Sequence, residues 1–158
     1  MKTDELIRLL NEKSLTVSTA ESCTGGGIGQ ALTAVSGSSA VYAGGVISYT
    51  NEVKERLLGV PAEILEQYGA VSAKTAEAMV KGIRDLLQTD CGISVTGLAG
   101  PNGDGSGKPV GLVYIGIAYG EETLVHEFLF KGDRDAVREQ AVDAALEMLI
   151  KTIKNAEP

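Results

Sequence analysis

The chain has 158 residues, 44% hydrophobic and 22% charged, which fits one compact domain (residues 1–158) whose core needs neither disulfides nor a structural metal. Fourteen basic residues against 21 acidic ones give a net charge of −7, so the surface repels nucleic-acid phosphate and anionic lipid, and neither is an expected partner. Two cysteines (Cys23 and Cys91) and one histidine (His126) are too few for a disulfide framework or a typical metal site, so no metal or cofactor is expected.

The N-terminus is interrupted by charges and is no signal peptide, and no apolar run approaches the ~20 residues of a membrane span. Cysteine usage fits a reducing cytoplasm, where the chain is expected to reside. Residues 3–12 read as an amphipathic helix with Leu6, Ile7, Leu9 and Leu10 on one face. Residues 15–20 read as a strand, followed by a polar, Gly-rich turn over 21–27 and a helix over 26–35. A loop at 37–39 leads to a strand over 40–49, with Gly44-Gly45 suited to a bulge. A short helix over 51–58 stops at Gly59, Pro61 opens another, and a long helix runs over 72–88.

Cys91 to Thr96 forms a strand that enters a Gly-rich loop over 97–109. A loop that long in a compact domain usually carries function. Val110 to Ala118 and Thr123 to Phe130 read as a hairpin turning at 119–122. A last helix over 133–154 has Asp133 as its N-cap, and residues 155–158 form a loose tail. This order predicts an α/β domain with a mixed sheet, since the hairpin requires an antiparallel neighbour.

Chemistry is concentrated in a few segments. Glu21-Ser22-Cys23-Thr24-Gly25-Gly26 joins a strand to a helix, which puts free backbone N–H groups beside three nucleophile-type side chains. The G-x-S-x-G flanks of a nucleophile elbow are absent, and read alone the segment fits a capped helix start without chemistry at least as well. Cys23 is the rival nucleophile. Asn51 reads as an N-cap, which places Lys54 at the third helical position; the positive helix end favours its neutral amine, the form a general base requires. A Ser22–Lys54 pair is then one option, and an ordinary solvated lysine the other. The Thr96 to Pro101 loop with Lys108 is not a P-loop, because Asn102 stands where the first glycine belongs and Pro109 where Ser or Thr belongs. It can still wall a pocket and contact a phosphate. Arg134 and Arg138, at the start of the last helix, either bind phosphate or pair with nearby acids. His126 reads as a strand residue without catalytic duty, and Cys91 as a core residue.

Taken together, these segments resemble the C-terminal domain of the CinA, or competence/damage-inducible, family. The likeness rests on Thr19 to Gly26, Ser36 to Ser39, Gly44 to Asn51 with Lys54, Leu57 to Val60, Gly69 to Ser72, Thr96 to Pro101, Lys108 to Gly111 and Phe130 to Arg134, in that order, over roughly residues 5–150. The resemblance implies a three-layer α/β/α fold with a five-stranded mixed sheet. It implies a metal-independent nicotinamide-nucleotide amidase of pyridine-nucleotide salvage, which converts nicotinamide mononucleotide and water to nicotinate mononucleotide and ammonia. Carried over to these positions, Ser22, Lys54 and Tyr49 become the catalytic group, and Thr24, Gly25, Gly26, Thr96, Gly97, Ala99 and Gly100 line the substrate pocket. Arg134 and Arg138 join them as phosphate candidates. Longer family members carry a further N-terminal domain, so the chain is expected to be the stand-alone form. The sequence departs from the usual pattern at Gly27, Gly29 and 102–107. A non-catalytic nucleotide-binding module and an amidase for another carboxamide stay open as alternatives. A homodimer is compatible with the sequence, although no apolar stripe fixes its interface.

Overall fold

The computed structural model describes residues 2–156. Six α-helices and five strands alternate in the order α1 (Lys2–Lys13), β1 (Val17–Glu21), α2 (Gly27–Thr33), β2 (Tyr42–Ile47), α3 (Asn51–Leu58), α4 (Ala62–Tyr68), α5 (Ala73–Leu87), β3 (Cys91–Gly97), β4 (Leu112–Tyr119), β5 (Glu122–Leu129) and α6 (Arg134–Asn155). The sheet order is β2-β1-β3-β4-β5. β1 runs parallel to β2 and β3, while β3–β4 and β4–β5 are antiparallel. The fold is therefore the expected α/β domain with a five-stranded mixed sheet.

Helices cover both faces. α5 lies on one side, with α3 and α4 packed against it; α6, α2 and α1 lie on the other. Strand alternation supplies each core. Cys91, Ile93 and Val95 of β3 and Val113, Ile115 and Ile117 of β4 point to the α6 side, where Leu146, Leu149 and Ile153 meet them. On the α5 side the sheet carries small residues. Ser94 Oγ donates to the Ala76 carbonyl at 2.7 Å, and a Cβ on Gly116 would lie 3.0 Å from that same oxygen. The α5 backbone thus sits directly on the sheet. Gly82 allows α3 to cross α5 closely, since a Cβ there would fall 1.9 Å from the Leu58 carbonyl oxygen.

Several boundaries differ from expectation for local reasons. β1 starts at Val17, because the Leu15 amide donates back to the Leu10 carbonyl and the Thr16 amide donates to the Asp90 carboxylate. β2 starts at Tyr42, after a 3-10 turn over Ser38–Ala40. Its irregular register falls between Tyr42 and Gly44, so the bulge lies just before the predicted glycine pair. The hairpin turns through Gly120-Glu121 alone, with Gly120 at φ 63°. Asp133 caps α6 as predicted, accepting from the Ala136 amide at 2.9 Å. Of the predicted tail, Asn155 ends α6 and residues 157–158 lie outside the described residues.

β1 returns to β2 on one side, and the chain then crosses to β3 on the other side of β1. Loops leaving β1 and β3 part company at this switch point, which opens a crevice at the strands' carboxyl ends. The Ser22 amide donates to the Val95 carbonyl at 3.0 Å, and the Ser48 amide to the Glu21 carbonyl at 2.8 Å. Three otherwise distant segments, 21–26, 48–54 and 96–100, meet there. Among the described residues no helix is long and apolar enough to cross a membrane.

Candidate active site

The turn after β1 is built around Glu21. Its side chain points to the α2 side of the sheet and is 2% exposed. The carboxylate accepts from Thr24 Oγ1 at 2.7 Å, the Ile28 amide at 2.8 Å and the Gly29 amide at 3.0 Å. It therefore satisfies the first free amides of α2 and holds the 22–26 turn against that helix start. Within the turn the Gly25 amide donates to the Ser22 carbonyl at 3.0 Å, and the Gly27 amide to the Thr24 carbonyl at 2.9 Å. The Cys23 and Thr24 amides have no acceptor among the described residues.

Lys54 reaches Ser22 from the opposite wall. The N-cap of α3 is Thr50 rather than Asn51, its Oγ1 accepting from the Val53 amide at 3.2 Å. Lys54 is consequently the fourth helical residue, and its own amide already bonds the Thr50 carbonyl at 3.1 Å. The side chain turns inward and is 1% exposed. Its Nζ donates to the Ser48 carbonyl at 2.6 Å and to Ser22 Oγ at 3.2 Å. No carboxylate pairs with it among the described residues. Burial pulls the amine down from 10.5 to about 8. Desolvation, rather than the helix start expected from sequence, is the main cause of this shift.

Ser22 and Lys54 face a cavity of about 230 Å³. Tyr49, Thr96, Gly97, Ala99, Gly100 and Arg134 border it, as do Asn102 and Asp104. Sites for whole drug-sized ligands run to roughly 300–1,000 Å³, so this one suits the reacting end of a ligand whose remainder lies across the mouth. At that mouth Arg134 donates from Nη1 to the Gly100 carbonyl at 2.6 Å and from Nη2 to the Tyr49 hydroxyl at 3.4 Å. Tyr49 is 60% exposed, and its hydroxyl meets Arg134 rather than Ser22 or Lys54.

Other predicted pocket residues stand elsewhere. Thr24 spends its hydroxyl on Glu21 and faces, with Arg138, a separate cleft between α2 and α6. Gly25 and Gly26 do not border the Ser22 cavity. Arg138 donates to the carbonyls of Cys23 and Thr24. Lys108 donates to the carbonyls of Tyr68 and Val71, strapping the 98–111 loop to the α4–α5 connection rather than holding an anion.

Cys23 borders the cavity, but it packs into the α6-side core and burial pushes its thiol up to about 11, away from the reactive thiolate. Cys91 is fully buried, and burial raises its thiol to about 12. His126 lies exposed on edge strand β5 against Phe128, with no place in the cavity. No group of three His, Cys, Asp or Glu side chains among the described residues could hold a metal ion.

A hydroxyl, a buried amine and free amides at one strand edge are the parts of an acyl-transfer site. Sequence comparison places the chain in a known group: residues 2–153 match the CinA C-terminal domain, and the chain belongs to that family. A CinA-like protein from Acaryochloris marina is 51% identical over 144 residues, covering 90% of this chain and 34% of that protein. The chain spans about a third of the length of the curated relatives it matches. Among solved structures, the competence/damage inducible protein CihA from Agrobacterium tumefaciens is 42% identical with a TM-score of 0.89, covering 96% of this chain and 95% of that one. A CinA superfamily protein from Klebsiella pneumoniae is 34% identical with a TM-score of 0.95, covering 98% and 96%.

Sequence reasoning missed Glu21 and the Ser48 carbonyl. An acid closing an otherwise buried strand, just before a helix start, is a readable signal for the first. A main-chain carbonyl leaves no signal in residue identity.

Proposed function

We propose that the chain is an amidohydrolase that cleaves the carboxamide of nicotinamide mononucleotide, giving nicotinate mononucleotide and ammonia. One observation carries the reading: a fully buried amine, unpaired with any carboxylate among the described residues, stands 3.2 Å from a serine hydroxyl. Fully buried lysines are rare without such pairing, and the neutral amine that burial favours is the form that can accept a proton.

In this scheme Ser22 Oγ attacks the carboxamide carbon while its proton passes to Lys54 Nζ. The Ser48 carbonyl holds that nitrogen in place throughout. The negative oxygen of the tetrahedral intermediate rests on the Cys23 and Thr24 amides, and each such donor typically contributes about 10²–10³ in rate. Protonated Lys54 then gives its proton to the departing ammonia, leaving an ester on Ser22. A water molecule, deprotonated by Lys54, hydrolyses the ester. Arg134 at the mouth suits the substrate phosphate, with Tyr49 orienting the guanidinium.

The substrate reading is tested by ammonia release from nicotinamide mononucleotide, nicotinamide riboside and free nicotinamide. The mononucleotide is expected to have the highest kcat/KM, by about tenfold or more over the riboside, which lacks the phosphate. Faster turnover of free nicotinamide points to an amidase for other carboxamides. Binding of the mononucleotide with no ammonia from any of the three identifies a nucleotide-binding module instead.

A further inference from the structure

Arg138 stands on α6 one turn beyond Arg134 and does not border the Ser22 cavity. Its guanidinium donates from Nε to the Cys23 carbonyl at 3.0 Å and from Nη2 to the Thr24 carbonyl at 3.1 Å. These acceptors belong to successive peptide groups, directly after Ser22. A planar fork with fixed N–H directions matches two acceptors side by side; a lysine ammonium does not.

The consequence follows from peptide geometry. The peptides of this turn are trans, so each N–H points opposite to the C=O of its own planar unit. Drawing the Cys23 carbonyl onto Arg138 turns the Thr24 amide away from the guanidinium. Drawing the Thr24 carbonyl there turns the Gly25 amide away as well, and that amide donates to the Ser22 carbonyl. The Ser22–Cys23 peptide is thereby fixed in turn, with the Cys23 amide directed opposite to the bonded Ser22 carbonyl. One guanidinium sets three consecutive peptide planes. The amides it leaves unbonded are those of Cys23 and Thr24. The fit is close: a Cβ on Gly25, which has φ +59°, would lie 3.2 Å from Nη2.

We infer that Arg138 is a positioning residue that presents the Cys23 and Thr24 amides to the developing oxyanion without touching the substrate. The inference rests on the reading of Ser22 as the nucleophile. It also explains why an arginine on α6, 115 residues from Cys23, reaches across to this turn. The cleft behind Arg138, about 450 Å³ and bordered by Gln30, Asp135, Glu139 and Asp143, opens to solvent. A small cation can therefore enter the space that a shortened side chain would vacate.

The test compares wild type, Arg138→Ala and Arg138→Lys, each with and without guanidinium ion well below denaturing concentration. Two readouts are taken: steady-state hydrolysis of nicotinamide mononucleotide, and the rate at which a fluorophosphonate labels Ser22. In the labelling reaction Ser22 Oγ bonds to phosphorus, fluoride leaves, and the phosphonyl oxygen needs the same amides, whatever the natural substrate. Arg138→Ala is expected to lower kcat about 10²-fold with KM within about twofold, and to slow labelling similarly. Guanidinium should restore both in Arg138→Ala, while lysine at this position should not, a pattern that general loss of folding does not produce. Unchanged kcat and labelling in Arg138→Ala would overturn the inference, and so would a raised KM at unchanged kcat. If wild type releases no ammonia while labelling of Ser22 still depends on Arg138 and guanidinium, the substrate reading fails and the positioning role stands.

Discussion

Replacing Lys54 with methionine is expected to lower kcat for amide hydrolysis by about 10³-fold while raising the thermal unfolding midpoint. The two effects have one origin. Lys54 is 1% exposed, and its amine bonds only the Ser48 carbonyl and the Ser22 hydroxyl among the described residues. Such burial opposes the charged amine, and methionine of similar length fills the space without that cost. Activity measured beside the melting curve separates the proposal from a structural role, because a structural lysine would lose stability and activity together. The pH dependence follows from the same amine. Only neutral Lys54 accepts the serine proton, and its value is lowered to about 8 by burial. The kcat/KM of the wild type should therefore climb about tenfold per pH unit below about 8 and level off above it. Stability has the same sign: between about 8 and 10.5 the unfolded chain holds a proton that the folded chain has released, so stability rises with pH across that window. A profile flat from pH 6 to 9 (roughly the working range of such assays) removes Lys54 as the base.

Glu21→Ala is expected to destabilise the fold by about 3 kcal/mol, which for a chain of this size lowers the midpoint by roughly 10 °C. The carboxylate accepts three hydrogen bonds, two of them from the first amides of α2. Its removal leaves those amides buried without a partner and frees the turn that carries Ser22. Catalysis should fall in parallel, even at temperatures where the variant is folded. Thermal or urea unfolding monitored by circular dichroism gives the first effect, and ammonia release at low temperature the second. A midpoint within a degree or two of wild type contradicts the clamp.

The legible parts of the fold were those with strong local chemistry. Gly59 stops α3 and Asp133 starts α6, and both are read directly from residue type. The hairpin was read from two alternating runs around a glycine turn, and it alone implied the mixed sheet. Boundaries decided by tertiary bonds were not legible: Thr16 is held by Asp90, 74 residues away, so β1 begins later than its apolar pattern suggests. In the site, the pairing of Ser22 with Lys54 was anticipated from the resemblance and from the helix start that favours a neutral amine, whereas the adjacency of β1 and β2 that brings them together carries no local signal. The helix start suggested a lowered lysine, whereas burial is the main cause of the lowering. Thr50 and Asn51 are both good capping residues, and only backbone geometry selects Thr50. That choice moves Lys54 inward, where burial controls its proton. Arg134 and Arg138 could not be told apart in sequence, since both follow Asp133 on the first turns of α6. They share one face of the helix, one turn apart, and that displacement along the axis brings one to the cavity mouth and the other to the back of the Ser22 turn.

Ammonia release from nicotinamide mononucleotide by wild type, Ser22→Ala and Cys23→Ala tests the central assignment most directly. Wild type and Cys23→Ala should both turn the substrate over, the latter within about tenfold, while Ser22→Ala falls by about 10³-fold or more. Full activity in Ser22→Ala, or its loss in a folded Cys23→Ala, would contradict Ser22 as the nucleophile.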